Sequence, residues 1–327
     1  MQVWDVVILG GGAAGCTAAL YCARAGLSAA VLEQTGAVGQ MAITNWVDNY
    51  PGFPEGISGF QLAEQMRRGA ERYGARFFQT DMQTAALGGE CKRIGTDIGE
   101  FQGKTVILAT GADPRPLGLP EERRLFGRGV SYCATCDGPL YREKTVAVVG
   151  GGNSAAEEAA FLAGFCEKVY LIHRRDALRA EKGVQEKLFA AKNVEILWNT
   201  QVAALLGGDR LTGLSLQRRG KTELFALECD GLFVAIGRTP NTGLFAGEVA
   251  LDAGGYVLAD ETTNANCPGV FAAGDVRRKP LRQIATAVAD GAVAASQAAA
   301  YLQGSGQRPP AARYERLYGF DTPLGEN

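Results

Sequence analysis

One pattern occurs twice in the chain, and it constrains the fold more than any other feature of the sequence. Residues 5–15 read DVVILGGGAAG, and residues 145–155 read TVAVVGGGNSA. Each copy is a β-branched apolar run, three glycines and an alanine-rich helical stretch. A second short apolar run follows each copy and ends at Glu33 or at His173. This order is typical of a strand–turn–helix–strand unit that binds a nucleotide, so the sequence predicts two such units.

Further short elements can be placed along the rest of the chain. Apolar runs that stop at glycine predict buried parallel strands, and alternating segments predict small antiparallel meanders. The predicted strands cover residues 105–109, 232–235 and 270–273, the meanders cover 81–102 and 201–228, and a last helix covers 282–303.

Two breaks in composition predict the domain organisation. Stretches rich in Pro and Gly at 113–120 and 240–247 flank the second nucleotide-binding unit. We therefore predict an α/β protein with two Rossmann-like (three-layer ββα) domains, the second inserted into the first. The first domain is discontinuous and comprises residues 1–115 and 246–327, and the second comprises residues 116–245.

The first glycine turn, Gly10–Gly15, matches the pattern GxGxxG. Its glycines permit a tight turn, close approach of a pyrophosphate and close packing of helix on strand, and the helix N-terminus faces the anion. Glu33 lies 23 positions after Gly10, at the end of the second strand, where a carboxylate accepts hydrogen bonds from ribose hydroxyls. The sequence therefore predicts a dinucleotide site here.

The second turn, Gly150–Ala155, matches the variant GxGxxA. The same 23 positions lead to His173, and three arginines rather than an acid follow it, namely Arg174, Arg175 and Arg179. Because guanidinium groups bind phosphate oxygens in a planar, bidentate way, the cluster predicts a 2′-phosphate and hence NADPH. The alternative interpretation is a solvated basic start of a helix.

Two different dinucleotide sites in one chain require an explanation. NADPH is a mobile hydride donor, so the first site most simply holds a flavin, which accepts a hydride and passes on electrons. Asp275, in GVFAAGD, would then reach the ribityl chain of FAD from the end of its strand.

Cys133 and Cys136 form a CxxC motif, followed by Asp137. Such a motif is half of a zinc site, a redox pair or a coincidence. Zinc needs four ligands, but the chain has no second CxxC and one histidine, so we expect no metal site. A redox pair explains both spacing and setting, and Asp137 is the nearest acid that could protonate a leaving thiolate. The other cysteines are expected to be small apolar core residues, namely Cys16, Cys22, Cys91, Cys166, Cys229 and Cys267.

Composition excludes several classes of protein. Apolar residues make up 46% of the 327 residues and the net charge is −2, so no nucleic-acid or membrane partner is expected. The sequence has no run of about 18 uncharged apolar residues and no basic leader followed by an apolar segment. We expect a cytoplasmic protein.

The motifs, in this order, resemble those of the low-molecular-weight thioredoxin reductases. The matching segments run from residue 10 to residue 287 and are GGGAAG at Gly10, VDNYPGF at Val47, ATGA at Ala109, CATCDG at Cys133, GGGNSA at Gly150, HRRDALR at His173, AIGRTPN at Ala235, FAAGD at Phe271 and RQIATA at Arg282. The resemblance implies an FAD domain with an inserted NADPH domain, a homodimer, and thioredoxin as the substrate.

The glycine turns and the resemblance together give the predicted site residues. The FAD set is Gly10, Gly12, Ala13, Gly15, Glu33, Gln40, Asn49, Ala109, Gly111, Asp275, Arg282, Gln283 and Ile284. The NADPH set is Gly150, Gly152, Asn153, Ser154, Glu157, His173, Arg174, Arg175, Arg179 and Ile236. The predicted catalytic residues are Cys133, Cys136 and Asp137.

The resemblance also implies a mechanism. Cys136 faces the flavin, Cys133 attacks the disulfide of thioredoxin, and Asp137 serves as acid and base. Because the CxxC and the NADPH site share the inserted domain, that domain is expected to rotate about its connections near 114–119 and 239–244 between the two half-reactions. The alternatives are a peroxiredoxin reductase, a dithiol oxidase, a thioredoxin reductase fed by ferredoxin or a deazaflavin, and a redox-sensing protein that only holds FAD.

Overall fold

The computed structural model describes residues 2–34, 39–44 and 46–304. The C-terminal segment 314–327, which contains Tyr314, Tyr318 and Phe320, lies outside the described residues. The chain divides into two compact units, unit 1 being Met1–Asp113 with Thr239–Asn327 and unit 2 being Pro114–Arg238. The sequence-based boundaries, after residues 115 and 245, lie slightly later in the chain.

Unit 1 begins with the first predicted strand–turn–helix–strand segment and continues to the first connection. Its elements are β1 (Val3–Leu9), α1 (Ala13–Arg24), β2 (Ala29–Glu33), α2 (Gln40–Ile43), α3 (Gly59–Glu71), β3 (Arg76–Gln79), β4 (Met82–Ala86), β5 (Lys92–Thr96), β6 (Gly99–Leu108) and β7 (Ala112–Pro114).

Unit 2 carries the second copy of the repeat. Its elements are α4 (Glu122–Leu125), β8 (Val130–Ser131), α5 (Ala134–Asp137), a 3-10 turn (Gly138–Tyr141), β9 (Thr145–Gly150), α6 (Asn153–Ala163), β10 (Lys168–Ile172), α7 (Lys182–Ala190), β11 (Val194–Leu197), β12 (Thr200–Leu206), β13 (Gly213–Arg218), β14 (Leu224–Glu228) and β15 (Gly231–Ala235).

The chain then returns to unit 1. The returning elements are β16 (Arg238–Pro240), a 3-10 turn (Gly243–Phe245), β17 (Val270–Ala272), a second 3-10 turn (Gly274–Val276) and α8 (Ile284–Leu302). The two connecting segments, β7 and β16, pair with each other as a two-stranded sheet.

Each unit is built on a parallel sheet whose functional loops leave from one edge. In unit 1 the order is β3-β2-β1-β6-β5-β4, and β17 also pairs with β6. Strands β1, β2, β3, β6 and β17 are mutually parallel. In unit 2 the order is β11-β10-β9-β15-β8, all parallel, and β12–β14 form a separate antiparallel sheet. Ligands of such open sheets bind beyond the carboxyl ends of the strands.

Both sheets are buried on their two faces, as near-continuous apolar strands require. In β1, Val6 and Ile8 belong to one apolar cluster, whereas Val7 and Leu9 belong to another. In β9, Val146 and Val148 likewise pack on one side of the sheet, and Ala147 and Val149 pack on the other. Because successive side chains of a strand point to opposite faces, each of these strands contributes to two separate apolar clusters.

One predicted strand starts earlier than expected. The run at 105–109 is the carboxyl half of the ten-residue strand β6, which begins at Gly99. Residues 99–103 pair with the antiparallel strand β5, and residues from Gln102 to Leu108 pair with the parallel strand β1. The meander and the parallel sheet therefore share one continuous strand.

No helix among the described residues is long and apolar enough to cross a membrane.

Helices α1 and α8 pack closely in unit 1, and a glycine makes this possible. A Cβ atom placed on Gly291 of α8 would lie 2.3 Å from Ala14 O of α1. Gly69, inside α3, has nothing within 4 Å of its Cβ position. The two helical glycines therefore differ in their surroundings and not in their secondary structure.

These surroundings predict opposite effects of the same substitution. Gly69→Ala should stabilise the protein by about 0.5–1 kcal/mol, because alanine loses less backbone entropy on folding. Gly291→Ala should destabilise it by roughly 1–3 kcal/mol, because the helices must move apart. Denaturant unfolding of both variants measures this, and a stabilising Gly291→Ala would contradict the packing described for α1 and α8.

Candidate active site

Steric crowding and backbone conformation both require glycine in the first glycine turn. A Cβ atom on Gly10 would lie 2.4 Å from Ala109 O, and one on Gly15 would lie 1.8 Å from Gly10 O. Gly10 also has a φ of +106°, in the region that favours glycine. Gly12, the N-cap of α1, instead has nothing within 4 Å of its Cβ position. The turn thus leaves an open cradle at the N-terminus of a twelve-residue helix, where a phosphate fits.

Glu33 lies over this turn, and Arg67 holds it there. Glu33 Oε1 would lie 1.9 Å from a Cβ atom on Gly11, and Glu33 Oε2 lies 2.8 Å from Arg67 Nη1. Burial raises the pKa of Glu33, and the Arg67 guanidinium opposes this rise. Arg67 in turn stacks over Phe77, 4.6 Å from the ring centroid. Arg67 was not predicted, because its local sequence signal is an i,i+4 pair with Glu71 that does not point to Glu33.

Other members of the predicted FAD set are tied together in unit 1. Asn49 Nδ2 donates to Gln283 Oε1 at 3.0 Å, although the two residues are far apart in sequence. Gln283 is the N-cap of α8 and forms a capping box with Thr286. Gln40 donates to Ala112 O and Asp113 Oδ1, next to the carboxyl end of β6. Three further members follow the carboxyl ends of β6 or β17, namely Ala109, Gly111 and Asp275. Ile284 is the first residue of α8.

Arg282 is also placed for a polar ligand. Its guanidinium carbon lies 4.1 Å above the ring of Tyr256. Its Nε is buried and has no hydrogen-bond partner among the described residues. A buried donor of this kind is costly unless a further group satisfies it, so Arg282 fits the edge of a bound polar cofactor.

A buried carboxylate fixes the turn that carries Asp275. Asp290 Oδ2 accepts from Gly274 N at 2.9 Å, Arg277 Nε at 3.0 Å and Lys279 Nζ at 2.8 Å. Asp290 was not predicted, because one acid inside an alanine-rich helix gives no signal of its partners.

The second glycine turn repeats the geometry of the first. A Cβ atom on Gly150 would lie 2.4 Å from Ala235 O, and Gly152 has nothing within 4 Å of its Cβ position. The ring of His173 covers the turn as Glu33 covers the first one, since its Cε1 would lie 2.0 Å from a Cβ atom on Gly151. Unit 2 therefore has an equivalent open cradle at the N-terminus of α6.

The basic segment after β10 is bonded to this turn. Arg179 N donates to Gly151 O at 2.7 Å, and Asn153 and Glu181 exchange two hydrogen bonds. Arg174, Arg175 and Arg179 have exposed side chains beside the cradle. The segment can therefore offer three guanidinium groups to a phosphate.

His173 is buried at 5% exposure, and its Nε2 lies 3.0 Å from Ala177 O. The imidazole thus supports the turn from within, and its contact with NADPH stays a prediction. Ser154 and Glu157 are exposed on α6, and Ile236 follows β15 at the same sheet edge.

The CxxC motif leaves that edge from strand β8. Cys133 and Cys136 form a disulfide with a Cα–Cα distance of 5.3 Å. Asp137, the last residue of α5, is half-buried beside it, and Ser131 Oγ lies 2.6 Å from Asp137 Oδ2. Ser131 was not predicted, since no motif links a serine to an acid six residues later.

The buried thiols among the other cysteines are poor redox candidates. Cys16, Cys22, Cys91, Cys166, Cys229 and Cys267 are free. Burial raises the pKa of Cys16, Cys22 and Cys229 to about 12, so these thiols stay protonated. Cys91 is exposed, which the prediction of a core residue did not anticipate. Within the described ranges no group of three or more His, Cys, Asp or Glu residues is arranged to hold a metal ion.

Comparison with known proteins gives the family. The sequence profile of the pyridine nucleotide-disulphide oxidoreductases matches residues 4–291. The chain belongs to this family. A thioredoxin reductase from Streptomyces coelicolor is 45% identical to the present protein. The match covers 92% of the present chain and 94% of the Streptomyces protein. NADPH-dependent thioredoxin reductase 3 of Arabidopsis thaliana is 43% identical over 91% of the chain and 58% of its own length.

A solved structure agrees with these matches. The crystal structure of thioredoxin reductase from Streptococcus pyogenes aligns with a TM-score of 0.88 at 40% identity, covering 92% of the present oxidoreductase and 99% of that chain. The predicted resemblance to the thioredoxin reductases and the predicted fold class are confirmed.

The two open cradles of this oxidoreductase predict a matched pair of variants. Gly12→Val should fill the first cradle and Gly152→Val the second, while neither side chain meets protein atoms within 4 Å of its Cβ position. Gly12→Val is expected to purify with little flavin. Gly152→Val should keep its flavin and raise the KM for NADPH about tenfold or more, because the phosphates lose close contact with the turn.

Visible flavin absorbance and steady-state kinetics measure the two effects, and the thermal melting of the flavin-free proteins controls for misfolding. Loss of flavin from Gly152→Val but not from Gly12→Val would reverse the assignment of the two sites.

Proposed function

We propose that the protein is an NADPH-dependent thioredoxin-disulfide reductase, and that unit 1 binds FAD while unit 2 binds NADPH and carries the redox disulfide. The observation that carries the proposal lies in unit 2. The segments that carry the Cys133–Cys136 disulfide and the GGGNSA turn follow the carboxyl ends of two strands of the same five-stranded sheet, β8 and β9. A dinucleotide-type turn and a redox pair on one sheet are the parts that such a reductase needs.

FAD and NADPH are the cofactors, and the residues of the two units fit them. FAD would be held by the Gly12 cradle, Glu33, Arg282 and the capped start of α8, and NADPH by the Gly152 cradle and the three exposed arginines. When bound, the flavin supplies the conversion of a hydride into the two electrons that a disulfide takes up.

The cysteines divide the remaining chemistry. In the reduced protein, Cys133 attacks the disulfide of thioredoxin and forms a mixed disulfide, releasing one thioredoxin thiolate. The Asp137 carboxylate takes the proton of the Cys136 thiol and passes it to that leaving group. Cys136 then attacks Cys133, which re-forms the internal disulfide and releases the second thiol of thioredoxin.

Both the disulfide and the NADPH turn belong to unit 2, and both have to serve one flavin. We therefore propose that unit 2 rotates between the half-reactions about the paired connections β7 and β16. The protein is further proposed to act as a cytoplasmic homodimer, and the six free thiols support a reducing compartment.

A steady-state assay tests the proposed function. NADPH oxidation in the presence of oxidised thioredoxin should be rapid, and Cys133→Ser or Cys136→Ser should lower kcat/KM by at least about 10³-fold, because each removes a sulfur that the exchange requires. Cys91→Ser is the matched control, since Cys91 is exposed and free, and it should retain activity. Turnover of thioredoxin by either variant of the redox pair, or its absence in the unmodified protein, would contradict the proposal.

A further inference from the structure

Ser131 connects the backbone of the redox motif to the predicted acid. It is the last residue of β8, is 2% exposed, and pairs with Phe233 of β15. Its Oγ accepts from Cys133 N at 3.1 Å and lies 2.6 Å from Asp137 Oδ2. A serine hydroxyl has one proton to donate. The short contact to Asp137 takes that proton, because the other acceptor in reach, Cys133 O, is 3.3 Å away.

The backbone holds this arrangement in place. Asp137 N donates to Cys133 O at 3.1 Å, so one helical turn brings Asp137 back beside Cys133. The next residue, Gly138, packs against α6, where a Cβ atom would lie 3.0 Å from Leu162. The strand fixes the backbone of Ser131 and the turn fixes the backbone of Asp137, and the contact between Oγ and Oδ2 joins the two side chains.

We propose that Ser131 is a positioning residue for proton transfer in the reductase: its hydroxyl holds the Asp137 carboxylate beside the redox disulfide and stabilises its charged form. This inference rests on the proposed function, because it takes Asp137 as the acid. It adds a residue that acts through Asp137 and does not itself touch the reacting sulfur atoms.

The proton balance shows what Ser131 contributes. Two electrons break the Cys133–Cys136 bond and leave two thiolates. One thiolate takes the proton of the Asp137 carboxyl group and becomes a thiol, and the carboxyl group becomes a carboxylate. The Ser131 hydroxyl donates to that carboxylate, which favours the charged product of the transfer. Ser131 therefore makes Asp137 a stronger acid.

Titratable groups also lie on two elements that contact α5, the following 3-10 turn and α6. Burial and the charge of Asp137 raise the pKa of Tyr141, on the following 3-10 turn, to about 12, so Tyr141 stays neutral. On α6, burial raises the pKa of Glu158 to about 7, opposed by Arg238, and Glu157 is its exposed neighbour. Because a group with a pKa of about 7 changes its charge near neutral pH, the test includes Glu158→Gln.

Carboxyl carbon NMR of the full, flavin-containing protein labelled at aspartate tests the inference. The Asp137 signal is assigned by its loss in Asp137→Asn, and its titration is followed with pH. Ser131→Ala should move the Asp137 midpoint upward by about one pH unit, because a hydrogen bond to the charged form is lost. Ser131→Thr should restore the midpoint, and the basic limb of the pH profile for thioredoxin reduction should shift with it, because a proton donor loses its proton there.

Ser215→Ala is the matched control, since Ser215 lies within β13 of the same unit, and it should leave the midpoint unchanged. The shift caused by Ser131→Ala should persist in a Glu158→Gln background. Should Ser131→Ala fail to fold, Ser131→Val replaces it as the isostere of Ser131→Thr that lacks the hydroxyl, and the same upward shift relative to Ser131→Thr is expected.

An Asp137 midpoint that stays in place in Ser131→Ala or Ser131→Val, or a shift that vanishes in the Glu158→Gln background, would overturn the inference. The proposed function fails by a different sign, which is the absence of thioredoxin reduction by the unmodified protein. The NMR titration does not depend on that activity.

Discussion

The structure depends on the approach of a bare glycine turn to the carbonyl at the end of a neighbouring strand. In unit 1 the Cβ position of Gly10 lies against Ala109 O, and in unit 2 that of Gly150 lies against Ala235 O. No side chain fits at either place, so both turns stay tight and direct the N-terminus of the next helix beyond the sheet. The third glycine of each turn, Gly12 or Gly152, then faces open space.

The same geometry places one side chain over each turn. The residue 23 positions after the first glycine ends the neighbouring strand in unit 1 and directly follows it in unit 2, and its side chain lies on the second glycine in both units. In unit 1 that side chain is the Glu33 carboxylate, which suits ribose hydroxyls. In unit 2 it is the His173 ring, which supports an exposed arginine segment instead. The two turns thus share one backbone geometry and differ in the side chain that lies over them.

The sequence predicts well whatever has a period or a fixed spacing. The repeat, the glycine turns, the CxxC motif and the succession of strands along the chain follow from local patterns that the backbone geometry requires. Contacts between distant residues escape such reading. Arg67 reaches Glu33, and Asp290 ties together Gly274 and Lys279, through packing that no spacing rule encodes. Ser131 is nearer to its partner, yet its role becomes visible only once the end of β8 and the turn of α5 are both in place.

In the proposed reaction NADPH reduces two acceptors in one chain, the flavin and the Cys133–Cys136 disulfide. An anaerobic titration with NADPH, followed by the visible flavin spectrum, tests it most directly. The unmodified protein should take up about two equivalents per chain and Cys136→Ser about one, because a flavin and a disulfide each take two electrons. A flavin that stays oxidised, or an uptake that is the same in both proteins, would contradict it.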